Sequence, residues 1–300
     1  MKARERLASI SPRLNEWKLT LKILLESASA RAGFIIVLAY VSISVVDFAA
    51  PGLIGVANAN SMIPDFSNPV PQPPSWSHIL GTTFPGIDLY QAVMAAIRID
   101  VWYSFLIVLA GAVIGTIVGV TAAYLGGYVD EVLMRFTDIF LSIPYLVFAI
   151  AVGFILGRAL NDVTLALVIV WWPLYARYAR GQALSIKENT YIEAARASGV
   201  GSWGIIFRHI APNTLTPVFV QISLDLGTVV QVFAALDFIG FASANPYLPE
   251  LGSIISDGFN YALSAPWGVI VPGVVILVFA IGMNLLGDGL RDALDPRNRT

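Results

Sequence analysis

Few residues of this chain could do chemistry, and those few are spread along apolar runs rather than gathered in motifs. There is no cysteine, so thiolate catalysis and disulfides are excluded. The two histidines, His78 and His209, lie far apart, which excludes a histidine-rich metal site and leaves only carboxylates as further ligands. No Gly-x-x-x-x-Gly-Lys-Ser/Thr stretch is present to cradle nucleotide phosphates. The stretch GFASA, Gly240 to Ala244, lacks the closing glycine of a nucleophile elbow. No catalytic residue and no metal ligand is therefore assigned. What remains is isolated polar groups in hydrophobic surroundings. An ionisable side chain in lipid costs roughly 2.5–3.5 kcal/mol on insertion scales, so it turns toward protein or water. Asp225 is such a group, and Gln221 and Thr228 recur with it at helical spacing. The three are candidates for lining a pathway, with hydrogen bonding between helices as the alternative.

The second place for chemistry is a polar interruption, Ser185 to Asn213, between hydrophobic segments. Ser185-x-x-Glu188 and Thr190-x-x-Glu193 both fit a capping box. Tyr191 to Ser198 favours a helix, and Gly199 is placed to end it in the left-handed conformation. Trp203, Ile206, Phe207 and Ile210 then form one apolar face of a second helix, and Pro212 suits the first turn of the next span. Small residues on the first helix allow another surface to approach closely. Glu193 can reach a basic group on that surface, or it can simply cap its own helix.

These residues sit in a chain that is 57% hydrophobic and 13% charged, against about 25% charged in soluble domains. The fold class is all-α, a polytopic membrane protein. A spanning helix needs about 20 mainly apolar residues. Six spans are expected: Gly33 to Val56, Val101 to Leu125, Val132 to Leu156 (kinked at Pro144), Val163 to Tyr178, Leu215 to Ile239 and Trp267 to Leu286. Sixteen of the eighteen basic residues fall on one side of these spans, with Arg98 and Arg158 on the other. The positive-inside rule then puts both termini and the 185–213 loop in the cytoplasm. Arg135 and Asp138 are spaced to pair on a helix, and Asn284, Asp288, Arg291 and Asp292 suggest a network at the end of the last span. The chain divides into a tail at 1–32, a first span at 33–56, a proline-rich outer segment at 57–97, a core at 98–290 and a tail at 291–300. The long polar tail and long first span suit an uncleaved signal-anchor.

The stretch EAARASGVGSWGIIFRHIAPN resembles the EAA loop of ABC importer permeases, through Glu193, Ala194, Ala195, Gly199 and Pro212. YLGGYVDEVLMRFTDIFLSIP, YARYARGQALSIKENTYIEAARASG and NLLGDGLRDALDP extend the likeness to the second permease of dipeptide/oligopeptide systems (DppC/OppC type) over most of residues 78 to 297. The resemblance implies a type I permease fold in the plasma membrane, with 185–213 as the coupling loop. Glu193, Ala194, Ala195 and Gly199, with Tyr191 and Arg196 beside them, would meet an ATPase subunit. It also implies a homologous second permease, two ATPase subunits that hold ATP and Mg, and an extracytoplasmic binding protein. This chain itself would bind no cofactor and no nucleic acid. The implied cargo is di- or oligopeptides, whose amino terminus Asp225 could attract. Oligosaccharides or nickel are alternatives, as are an ion-driven secondary transporter or an intramembrane enzyme. The chain departs from the family at Gly81-Thr82-Thr83 and Gly86-Ile87-Asp88, where an acid and an arginine are missing, and at Phe233 in place of a glutamate.

Overall fold

The computed structural model describes residues 21, 24–241 and 245–294. Lys2, Arg4, Arg6, Arg13, Lys18, Lys22, Arg297, Arg299 and the end of the GFASA stretch lie outside them. The described chain is mostly helical, with largely irregular outer segments at 55–88, 245–250 and 260–266. Helix α1 is Ala28–Ala49, α2 Leu89–Leu125, α3 Gly127–Leu141, α4 Tyr145–Leu156, α5 Leu160–Lys187 and α6 Thr190–Ala197. A continuous helical run, Ser202–Phe241, is α7. Two more follow, α8 at Leu251–Phe259 and α9 at Trp267–Leu294.

Among the described residues α1, α2, α7 and α9 are long and apolar enough to cross a membrane, and α3 with α4 makes a fifth if counted as one span. The remaining expected span, the fourth, Val163 to Tyr178, corresponds to α5. That helix has 28 residues, but its apolar run is hemmed in by Asp162 and by Arg177 and Arg180. Pro144 does more than kink the third span: α3 and α4 meet at 89°. Proline lacks the N–H that would continue the ladder and disfavours helix in the residue before it. The first span also shifts. It begins at Ala28, where the Ser27 hydroxyl accepts from the Ala30 N–H, and stops at Ala49 before Pro51. The second begins at Leu89, twelve residues before Val101, because the Asp88 carboxylate accepts from the Gln91 N–H and caps it.

The proline-rich segment is mostly irregular, as its composition suggests, with one small hairpin that pairs Thr82 with Asp88 and Thr83 with Ile87. Helices α2 and α5 form the densest contact. A Cβ at Gly115 would clash with the Trp172 carbonyl and one at Gly119 with the Ala176 carbonyl, so only glycine lets these backbones come so close. Helix α1 lies at the periphery. It packs on α9 through Gly33 against Gly282 and is tied to α2 by a buried ion pair, Asp47 to Arg98 Nε at 2.8 Å. The main core joins α2, α5, α7 and α9, and a second cluster closes the end that carries α6.

Candidate functional site

The 185–213 loop is built at the junction of α2, α5 and α7. Helix α5 runs on through Ser185 to Lys187, whose Nζ donates to the Ala123 carbonyl at the end of α2 (2.8 Å). Ser185 thus lies inside a helix and caps nothing. The second capping box does not form either. Asn189, not Thr190, is the cap position of α6, and its side-chain amide donates back to the Ile186 carbonyl. Glu193 is exposed and makes no hydrogen bond or ion pair among the described residues.

The expected stop at Gly199 is present in full. Gly199 has φ +81°, its N–H donates to the Arg196 carbonyl, and the Val200 N–H donates to the Ala195 carbonyl at 3.1 Å. This Schellman pair satisfies the last carbonyls of α6. One residue fixes the helix sideways. Ile192, fully buried, packs with Val120, Ala123, Ala179, Ala183, Ile205, Ile206 and Ile210. Opposite it, Glu193, Ala194 and Ala197 face outward, with Ala195 half-buried. Arg196 is also exposed and sits over the Tyr124 ring at 5.8 Å. Tyr191 is partly exposed, and its hydroxyl accepts from the Asn213 amide at 3.2 Å.

The expected apolar face splits in two. Ile206 and Ile210 are buried, whereas Trp203 and Phe207 are 61% and 52% exposed and stack on each other at 5.9 Å. Ile205, adjacent in sequence, takes the inner place. A π turn at Ile206–Ile210 accompanies Pro212, which sits inside a continuous helix rather than at a fresh start. Ion pairs brace the same end. Arg180 grips Asp130 with two bonds of 2.6 Å, and Arg177 takes Asp138. Arg135 is left with Glu131 at 3.8 Å, not with Asp138 as its spacing suggested. A partner on α5 offers charge at better geometry than one on the same helix surface.

Midway along α7, Gln221 Nε2 donates to Asp225 Oδ1 at 2.9 Å. Asp225 also faces the buried Tyr175 and Trp171 of α5. Thr228 does not join them and is exposed. Gln221 also lines a cleft of about 490 Å³ with Tyr178, Thr216 and Arg291. Phe233 is fully buried and stacks on Tyr103 at 6.4 Å, so it serves packing. Asp88 caps α2 and pairs with His78 at 2.7 Å. Among the described residues no group of three histidine or acidic side chains is arranged to hold a metal ion. Sequence reasoning missed Ile192, because one isoleucine in a polar loop has no periodic partners. It also missed the Asp47–Arg98 pair, whose signal is a lone acid in an apolar run.

Residues 111–300 match the family described as binding-protein-dependent transport system inner membrane component. The dipeptide transport system permease protein of Alkalihalophilus pseudofirmus is 35% identical over 296 residues, 99% of this chain and 93% of that protein. The probable D,D-dipeptide transport system permease protein of Escherichia coli is 41% identical over 75% of each chain. The glutathione transport system permease protein of Pectobacterium atrosepticum is 38% identical over 75% of this chain and 74% of its own. Among solved structures, an inward-facing MetNI methionine ABC transporter superposes with a TM-score of 0.56 at 20% identity, covering 68% of this chain and 97% of that one.

Proposed function

From a chain that belongs to the binding-protein-dependent transport system inner membrane components, we propose a permease subunit that imports di- or oligopeptides with energy supplied by separate ATPase subunits. It forms half of the pathway, and a homologous permease forms the other half. An extracytoplasmic binding protein delivers cargo. Two ATPase subunits hold ATP and Mg, and this chain does no catalysis. Both termini lie in the cytoplasm, following the basic residues. The peptide cargo rests on the names of the relatives.

One observation carries the coupling role: α6 is a short helix locked inward by Ile192 and stopped by a Schellman pair, with Glu193, which has no partner among the described residues, on its open face. Ala194 and Ala195 keep that face low, Tyr191 and Arg196 flank it, and Gly199 holds the turn. Alternating access moves packed elements between two arrangements. A push on α6 passes through Ile192 to α5 and α7, and α7 runs 40 residues, about 60 Å, past the Gln221–Asp225 pair. That pair, with Thr228 a turn further on, faces the cargo, and Asp225 attracts a peptide amino terminus.

The test is Glu193→Lys in the complete transporter, reconstituted in liposomes with its binding protein and supplied with labelled dipeptide or labelled oligosaccharide. The wild type takes up dipeptide, and the variant hydrolyses ATP without uptake. Normal uptake by the variant sinks the coupling role, and uptake of oligosaccharide alone sinks the cargo.

A further inference from the structure

Helices α7 and α9 touch where glycine lets them. A Cβ at Gly287 would meet the Leu224 side chain, and one at Gly227 would meet the Ala280 carbonyl. Beyond that contact, toward the end that carries α6, the two helices part around the cleft of about 490 Å³. Tyr178 of α5 forms a third wall, and its hydroxyl donates to the Pro217 carbonyl at 3.2 Å. Sites for small molecules are about 300–1,000 Å³, mostly apolar, with a few placed polar groups. Here Val220, Leu224 and Leu294 supply the apolar part.

Three polar side chains line the same cleft with bonding capacity left over. Arg291 is exposed and makes no hydrogen bond or ion pair among the described residues, and Asp288, one turn earlier on α9, does not pair with it. Thr216 is exposed, and its hydroxyl has no partner among the described residues. Gln221 presents Nε2 to Asp225, because a carboxylate only accepts. Its Oε1 is thereby left as an acceptor. A charged side chain beside apolar walls turns to water or protein rather than lipid. An anionic lipid headgroup would meet Arg291 but also the Asp225 carboxylate behind Gln221. A short peptide carries both charges that this lining answers, a carboxylate for Arg291 and an amino terminus for the Gln221–Asp225 pair.

We propose that this cleft is a cargo subsite that reads the free carboxylate of a short peptide. Arg291 and Thr216 donate to the carboxylate, and Gln221, oriented by Asp225, accepts from the amino-terminal end. The inference rests on the peptide-importer reading above and adds to it the group that recognises the carboxyl end. The planar fork of a guanidinium suits a carboxylate. Loss of hydrogen bonds to a charged group weakens binding about 10- to 100-fold. A peptide whose carboxyl is amidated has no such bonds to lose.

The test uses the complete transporter without its binding protein, in phosphatidylcholine nanodiscs, so that only the transporter itself meets the probe. Labelled alanyl-leucine and alanyl-leucine amide are titrated into the wild type, Arg291→Gln and Arg291→Lys. The wild type is expected to bind the free acid, and Arg291→Gln to bind it about 10- to 100-fold more weakly. Arg291→Lys should fall between them, and the amide should bind the wild type and Arg291→Gln alike. No binding of the acid by the wild type, or equal weakening of acid and amide, overturns the proposal. Native mass spectrometry from nanodiscs doped with phosphatidylglycerol covers the other source of an anion. Retention of that lipid by the wild type but not by Arg291→Gln, with dipeptide binding unchanged, overturns the proposal in favour of a lipid site. If Arg291→Gln does not assemble, Thr216→Val carries the comparison and should show the same split between acid and amide. Failure of both to assemble overturns the proposal, because these side chains would then hold the complex together. ATP-driven uptake with the binding protein present is scored separately: its absence in the wild type sinks the importer reading, while acid-specific binding at Arg291 is read on its own.

Discussion

Replacing Ile192 by alanine is expected to loosen one helix without unfolding the protein. Ile192 is the only buried residue of α6 and is fully enclosed. An eight-residue helix has no stability of its own in water, so its docking rests on this side chain and on the Schellman stop behind it. Ile→Ala in a core costs about 2–5 kcal/mol, depending on how far the site collapses. Partly buried Val200 and Ile186 border the cluster and can close on the gap, so about 2–3 kcal/mol is the expected loss. That lowers the docking constant about 30- to 150-fold. Hydrogen exchange followed by mass spectrometry reads the change directly. Amides of 190–200 should exchange faster by that factor, while those of α2 and α5 stay protected. ATP-driven uptake should fall with it. Glu193→Ala is the control: it leaves exchange unchanged because Glu193 holds nothing among the described residues. Unchanged exchange at 190–200 in Ile192→Ala refutes the anchor. So does global unfolding, because the cluster would then be part of the main core and not a separate joint.

Gly199→Ala places a side chain at φ +81° with open space around its Cβ, so the cost is backbone strain alone, about 1–2 kcal/mol. Fraying of α6 in exchange experiments with unchanged global melting is the expected result. Asp47→Leu leaves the Arg98 charge buried and is expected to cost about 3–5 kcal/mol, measured as lost thermal stability. Adding Arg98→Met should recover most of that loss.

Much of the α6 region was legible in the sequence because it follows rules that hold in water. Glycine at a left-handed stop, a small-faced helix and an outward carboxylate are local properties, and Gly199, Ala194 and Glu193 stand where their types suggested. Caps were less legible. Thr190 and Ser185 fit the pattern for a first residue, but Lys187 binding the Ala123 carbonyl carries α5 past Ser185 and moves the boundary. The Asp88 cap shows the same limit in reverse. Its Asp-x-x-Gln pattern was present, but the hydrophobic run of α2 begins later, so the run alone misplaced the helix start.

The errors about faces share one cause. In water an apolar residue points inward, so Trp203, Ile206, Phe207 and Ile210 read as one buried stripe. A membrane helix has two apolar surroundings, protein and lipid, and hydrophobicity does not separate them. Phe48, Phe154 and Ile155 are 73–84% exposed, while Thr137, the only buried residue of α3, is fully enclosed. In such a protein the polar residues mark the inside. A lone acid in an apolar run cannot face lipid, so Asp47, Asp100, Asp225 and Asp237 each had to point at another helix. The sequence could therefore have told which helix faces are internal, but not which acid meets which. Asp100 accepts from the Leu251 N–H only because Gly252 lets α8 press against α7 beside α2, and that closure is written in no local pattern.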